Sequence, residues 1–337
     1  MTAAIADALV DWTHATNESV VALHVGGLDT VAILGADGLV RVVDLSSGGS
    51  IWEMHLPEGP LAAAWSPDGS RLAVGTTHGV HILKPGVGVL ATIEGGWCAA
   101  VAWRPDGQAL AAGLGRRAVI VGDGMVITWS ATVASTVTGL AWLDRSLAVS
   151  AYGGISLFDP TRDRPPKVMS FKGSLLVLAV TPDGRWVATG NQDASLHAWR
   201  VGRSDDELTM QGYAAKVTAL AFSPTGRFLA SNGGSEVTLW DFSGKGPSGT
   251  TPRILSGCTD LVGSLAWSAD GERLAAASRD GRVVVWRVDS ALPGRPCPAT
   301  TQFSRRADGA TAVAWAGRER LLAAWSDGTL VLGTLPS

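Results

Sequence analysis

A unit of about forty residues recurs eight times along the chain, with the same pieces in the same order each time. A short apolar strand ends on an anchor residue and a polar turn reverses the chain. A strand of small residues follows, and a second tight turn leads into a β-branched strand. The clearest copies read LAWSADGERLAAASRDGRVVVW (265–286), LAVTPDGRWVATGNQDASLHAW (178–199) and LAFSPTGRFLASNGGSEVTLWD (220–241). Weaker copies occupy 22–44, 63–84, 101–123, 140–159 and 313–333. The aligned anchors are His24, Trp65, Trp103, Trp142, Val180, Phe222, Trp267 and Trp315, spaced by 41, 38, 39, 38, 42, 45 and 48 residues. That spacing is the length of a four-strand propeller blade.

Each copy has a local logic. Pro67-Asp68-Gly69, Pro105-Asp106-Gly107 and Pro182-Asp183-Gly184 form the first turn. Proline presets φ at the first corner and glycine supplies the positive φ of the reversal. The next strand is a run of Ala, Leu and Val, as expected of a strand buried on both faces. A second turn (Asp37-Gly38, Asp280-Gly281, Asp327-Gly328) leads to strands closing on Trp199, Trp240 and Trp286. No stretch longer than a turn shows a 3.6-residue period. The chain reads as all-β.

These repeats make the chain resemble the Trp-Asp (WD) repeat β-propeller family, over roughly residues 1–337. The copies diverge. The family's Gly-His pair becomes Gly212-Tyr213 and Gly257-Cys258, and the terminal Trp-Asp survives as Trp240-Asp241, with Phe158-Asp159 and Val43-Asp44 as relics. The resemblance therefore implies an incomplete polar network between strands, with packing carrying more of the stability.

The expected architecture is one circular domain of four-stranded antiparallel blades. Eight blades are expected, or seven if the first unit, which lacks the Pro-Asp-Gly turn, is decoration. The blade boundaries are 20–58, 59–96, 97–134, 135–172, 173–213, 214–258, 259–307 and 308–337. The eighth unit lacks a fourth strand, while Ala8-Leu9-Val10 and Trp12 precede the first. An open edge invites aggregation. Residues 1–19 are therefore expected to close the last blade, through a strand near 6–14. Ala111, Ala188 and Ala276 should sit where blades press together.

Composition narrows the function. The net charge is −3, the pI is near 6.1, and no run of Lys or Arg exceeds two residues. Nucleic-acid binding, which needs clustered cations, is not expected. No apolar stretch approaches a membrane span and the first residues do not read as a signal peptide, so a cytoplasmic setting is expected. Three Cys (Cys98, Cys258, Cys297) do not form a disulfide framework, and Cys297, between two prolines, should be exposed. Of six His only His78 and His81 are near each other, and a metal would need a further ligand converging on them. The turn aspartates read as backbone caps. No catalytic, cofactor-binding or metal residue is assigned. Segments 203–210, 242–252 and 288–300 vary between the copies and should protrude on the rim of the Pro-Asp-Gly turns, and the last two, rich in Gly, Pro, Ser and Thr, read as mobile loops.

What remains is recognition. In the family the resemblance points to, partners often contact two places in each blade, just before the first strand and just before the second turn. Carried over by alignment, the first set is Glu18, Gly59, Trp97, Thr136, Ser174, Lys216, Leu261 and Gly309. The second is Ala36, Thr77, Gly115, Tyr152, Gln192, Gly234, Arg279 and Trp325. Trp97, Tyr152, Gln192, Lys216, Arg279 and Trp325 are the candidate protein-binding residues, since aromatics and Arg dominate interface hot spots. The expected function is a non-enzymatic scaffold, monomeric or weakly self-associating, that docks another protein on the channel-mouth rim. Two alternatives stand beside it. One is a structural, self-assembling propeller. The other is a quinoprotein-like enzyme, suggested by the single stretch DGLVRVVDLSSGGSIW (37–52).

Overall fold

The strand-and-turn repeat builds eight separate antiparallel sheets in the computed structural model, which describes residues 9–27, 29–203, 207–305 and 308–336. Blades one to eight run over residues 20–55, 62–94, 101–132, 139–170, 175–210, 220–256, 262–304 and 310–334, each with its strands in chain order. The innermost strands neighbour one another in a closed circle, with Val20–Gly26 of blade one meeting Ala310–Ala316 of blade eight. The first unit is thus a full blade. Among the described residues the one helical turn is the 3-10 segment Val288–Ser290.

Closure is as expected. Leu9–Ala15 pairs antiparallel with Thr329–Thr334 and supplies the outer strand of blade eight; residues 6–8 of the expected strand lie outside the described residues. Trp12 packs on the core shared by blades eight and one, and its indole donates to the Leu45 carbonyl at 3.1 Å.

The turns explain why the strands end where they do. Gly69, Gly107 and Gly184 take φ of +68°, +72° and +68°. The turn aspartate accepts from the amide two residues on: Ser70 to Asp68, Gln108 to Asp106, Arg185 to Asp183 and Glu272 to Asp270, at 2.9–3.1 Å. Such caps fix the reversal locally.

Neighbouring blades are joined by their anchors. Each tryptophan anchor donates its indole N–H to a backbone carbonyl on the innermost strand of the preceding blade. Trp65 bonds His24 (2.8 Å), Trp103 Ala64 (3.0 Å), Trp142 Ala102 (2.9 Å), Trp267 Ala221 (2.9 Å) and Trp315 Ala266 (3.1 Å). Four of the acceptors sit one residue before the preceding anchor. His24 breaks that rule only because the anchor of blade one is Val25. Val25 opposes Val31 as Trp65 opposes Leu72, while His24 opposes Ala32. The aligned position is corrected by one residue, because blade one lacks the Pro-Asp-Gly marker that sets the register elsewhere. Burial pulls the His24 imidazole down to about 4.

Three interfaces lack the indole bond. Between blades eight and one, Trp12 and an Arg320–Asp29 pair at 2.6 Å take its place. Between five and six, Phe242 stands edge-on to both Trp186 and Phe222, at centroid distances of 5.4 and 5.1 Å. Between four and five, Gly139 lets Leu178 approach; a Cβ there would lie 2.7 Å from the Leu178 Cβ.

The three variable segments, the last two of them expected to be mobile, are largely docked. Glu207–Met210 is the outer strand of blade five. Phe242 is core, and Gly246, at φ +92°, lies against Trp186 where a Cβ would come within 2.9 Å of the ring. Pro296–Pro298 adds a fifth strand, parallel, to the outer edge of blade six, with Cys297 opposite Leu255. Cys297 is therefore buried, not exposed. Proline lacks an amide donor, so it suits an edge, and two prolines flanking one paired residue make a short, self-terminating strand. Composition suggested mobility; the apolar Val288, Ala291 and Cys297 between the polar residues supply the packing.

Ala111, Ala188 and Ala276 are fully buried, as expected of inner-strand positions. Replacing Ala276 with Leu should overpack the site and cost about 1–3 kcal/mol, read by urea unfolding. A neutral result would remove that residue from the blade contact. Deleting residues 1–13 should expose the ladder of Thr329–Thr334 and unpack Trp12, giving aggregation or a large fall in Tm. A truncated chain melting with the parent would show that the clasp is dispensable.

Candidate protein-docking rim

Antiparallel blades put two kinds of connection on opposite rims. First-to-second and third-to-fourth strand connections share one rim with the Pro-Asp-Gly turns, here called the turn rim. Second-to-third turns and the crossings between blades share the other, the junction rim. The two sets of candidate positions are two halves of one junction, joined by backbone hydrogen bonds. Gly115 N–H donates to Trp97 C=O (2.8 Å), Gln192 to Ser174 (3.1 Å) and Arg279 to Leu261 (3.0 Å).

Trp97 is displayed from a backbone held on both sides. The Gly95 and Gly96 amides both bond the His78 carbonyl of blade two (3.1 and 3.2 Å), and Cys98 N–H bonds Thr76. Gly96 takes φ +87°, and the indole is left 50% exposed. Tyr152, on blade four, is 55% exposed. Gly153 and Gly154 close its turn at φ +97° and +137°, and Gly153 exchanges backbone bonds with Phe171 and Gly173. Among the described residues the Tyr152 hydroxyl has no hydrogen-bond partner. Gln192, Lys216 and Arg279 are all exposed on the same rim.

Trp325 does not belong with them. It is 1% exposed, packed between blades seven and eight, with its indole donating to Gly281 C=O at 2.9 Å. The junction bond in blade eight comes from Ser326 to Gly309, one residue later than alignment placed it. The indole is core because blade eight's second strand carries the apolar face one step further.

The polar network is more complete than the sequence suggested. Tyr213 Oη accepts from the Trp240 indole (2.8 Å) and lies 2.7 Å from Ser231 Oγ, so in blade six a tyrosine links the strands where the family uses histidine. Burial raises this phenol above its ordinary range. Tyr213→Phe would leave the half-buried Trp240 indole N–H without its acceptor, while Ser231 keeps the Thr238 carbonyl, and should destabilise the chain by about 1–3 kcal/mol by urea unfolding. An unchanged midpoint would show that the hydroxyl is idle.

His78 is an exposed turn histidine, and His81 is not. Glu58, from the crossing into blade two, lies 3.1 Å from His78 Nδ1 and 3.8 Å from His81 Nε2. His81 is nearly buried and desolvation lowers its pKa, against the opposing pull of Glu58. The partner was missed because it sits twenty residues upstream in another turn. Among the described residues no group of three His, Cys, Asp or Glu could hold a metal ion. Burial pushes the Cys98 thiol up to about 12 and Cys258 to about 11, the reverse of activation. Hydrogen bonds from Ser66 and Ser70 pull Asp68 down to about 2. A cleft of about 700 Å³ opens on the turn rim between blades three and four. Its Arg104 is spent on both oxygens of Asp106, at 2.8 and 2.9 Å.

The family described as WD domain, G-beta repeat matches residues 166–200, 206–241 and 249–287. Each match opens with the outer strand of one blade and ends with the third strand of the next. Coronin-7 of Homo sapiens is 31% identical over 117 residues, which cover 32% of this chain but only 12% of that protein. The C-terminal WD40 domain of Sif2 superposes with a TM-score of 0.82 at 16% identity, covering 99% of each chain. Sqt1 from Chaetomium thermophilum gives 0.81 at 20% identity, covering 98% of this chain and 100% of its own. The computationally designed Ika8 protein gives 0.78 at 17%, with 98% and 100% covered. Those structural likenesses speak for the fold, and the matched repeats for the family. The chain carries WD repeats over these residues, within a β-propeller of eight blades.

Proposed function

We propose that the chain is a non-enzymatic, cytoplasmic docking platform that binds another protein on its junction rim. The observation that carries this reading is the display of Trp97 and Tyr152, two aromatics half exposed beside backbone pinned by hydrogen bonds at the junctions. A rigid scaffold presenting exposed aromatics loses little entropy on binding, and such residues dominate interface energetics. The WD-repeat family is generally one of interaction scaffolds, which supports the reading. The non-enzymatic part rests on where the carboxylates are used. Asp37, Asp68, Asp106, Asp183, Asp270, Asp280 and Asp327 each accept from the amide two residues on, a capping duty that accounts for their positions.

The double variant Trp97→Ala/Arg279→Ala should keep the parent Tm and lose capture of the native partner from lysate, a loss of about 2 kcal/mol or more if either residue is a hot spot. Lys245→Glu, on the turn rim, should capture as the parent does. If Lys245→Glu breaks capture and the double variant does not, the docking face is the turn rim.

A further inference from the structure

The junction rim is divided by charge, and the division falls where the exposed aromatics are. Between residues 95 and 192 the acids are Asp106, Asp123, Asp144, Asp159, Asp163 and Asp183. Every one lies in a first-to-second or third-to-fourth strand connection, and so on the turn rim. On the junction rim the same stretch presents Arg116, Arg117 and Lys172, all exposed. Arg117 and Lys172 form no ion pair among the described residues, and Arg116 donates only to the Val133 carbonyl, at 3.3 Å. In blades one and two the sign reverses. The junction-rim residues 16–19, 36–38, 56–61 and 76–78 carry Glu18, Asp37 and Glu58 and no Lys or Arg.

This division is not a by-product of the turns. Blades one, seven and eight close their second turn with Asp37, Asp280 and Asp327, each capping its own backbone. Blades three and four close it with Gly115 (φ +58°) and Gly153 (φ +97°) instead, which need no carboxylate cap. In blade three the position so released holds Arg116; in blade four Gly153 itself fills it, and Tyr152 stands one residue before, where blades one and seven have Ala36 and Arg279. Two half-exposed aromatics thus stand among three cations, and the flanking acids on their rim are Glu94, at the end of the outer strand of blade two, and Asp193, in the second turn of blade five.

Building on the docking function above, we propose that the partner presents an acidic, apolar-bearing peptide segment, bound across the junction rim of blades three and four. Its apolar side chains rest on Trp97 and Tyr152, and its carboxylates meet Arg116, Arg117 and Lys172. Guanidinium groups take carboxylates in bidentate geometry. The acidic rim of blades one and two repels the same peptide, which sets where along the ring it lies.

The probe is a dye-labelled synthetic peptide alternating Glu with Leu and Phe, titrated into the full chain by fluorescence anisotropy. Its twin has Lys at every Glu. The Glu peptide should bind saturably and weaken as salt is raised, and the Lys twin should not bind. Arg116→Glu/Arg117→Glu/Lys172→Glu should lose about tenfold or more in affinity. Arg117→Glu/Lys172→Glu, which keeps the Arg116 bond to Val133, should lose affinity in the same direction. Lys84→Glu/Arg145→Glu/Lys245→Glu, an equal charge change on the turn rim, should stay within about twofold, since screening confines exposed charges to their own rim. Absence of saturable Glu-peptide binding, equal binding of the Lys twin, or an unchanged triple variant on the junction rim would overturn the proposal. A labelled single-stranded oligonucleotide binding more tightly than the Glu peptide would overturn it too. Native-partner capture separates the two ideas. If Trp97→Ala/Tyr152→Ala loses the partner while the charge reversals keep it, docking stands and the acidic segment falls. If neither set loses it, the docking rim itself is wrong.

Discussion

The hydrogen bond from an anchor indole to a carbonyl of the preceding blade is the contact on which the ring depends. Blades meet face to face across Ala-, Leu- and Val-rich strands, and burial of such faces is strong but non-directional. It fixes how closely two sheets approach and leaves their relative slide undetermined. An indole N–H aimed at one carbonyl settles that slide, and five of the eight interfaces have it. The fully buried alanines of the inner strands suit this arrangement, because a wide ring needs small neighbours to pack at interior density. Where the indole is missing, the replacements are larger and local. Phe242 wedges between Trp186 and Phe222, and Trp12 with the Arg320–Asp29 pair ties the last blade to the first.

The offset between repeat and blade is a second constraint. Each family match takes its outer strand from one blade and its inner three from the next, so the backbone itself crosses every interface. Leu9–Ala15 followed by blade one repeats that offset at the closing point. The crossings are the junctions that hold Trp97. Its amide neighbours are bound to blade two and its carbonyl to blade three, so the indole is displayed by a segment that cannot drift without breaking both.

The fold was legible because its signals are local. Pro-Asp-Gly, Asp-Gly and the anchor tryptophans each set one turn or one strand end, and errors do not propagate. Where a marker is missing the register fails, as at blade one, where Val25, opposite Val31, and not His24, opposite Ala32, holds the anchor position. The same one-residue slip placed Trp325 on the surface, although its side chain is core and Ser326 makes the junction bond. Long-range pairings were not legible at all. Nothing in Pro296-Cys297-Pro298 announces a parallel partner forty residues upstream, and nothing near His78 points to Glu58. Tyr213 was read as a defect because histidine was expected, yet its hydroxyl reaches Trp240 and Ser231 as a tyrosine can from further away.

The two rims divide the labour of folding and recognition unequally. On the turn rim a carboxylate is part of the reversal. Asp68, Asp106, Asp183 and Asp270 hold amides two residues on, and in three of them a Ser or Thr two residues before the aspartate bonds the same carboxylate. Side chains so engaged are poorly placed to meet a partner, since binding would have to displace the cap. Glycine can close a tight turn without a cap, because the strained φ costs it nothing. Blades three and four use that freedom on the junction rim, where Arg116 holds the place that other blades give to aspartate and Trp97, Arg117 and Tyr152 are exposed beside the glycine turns. A residue that no turn requires is one whose identity the fold does not explain. That argument, more than exposure alone, marks this sector as the part of the ring shaped by something other than its own stability.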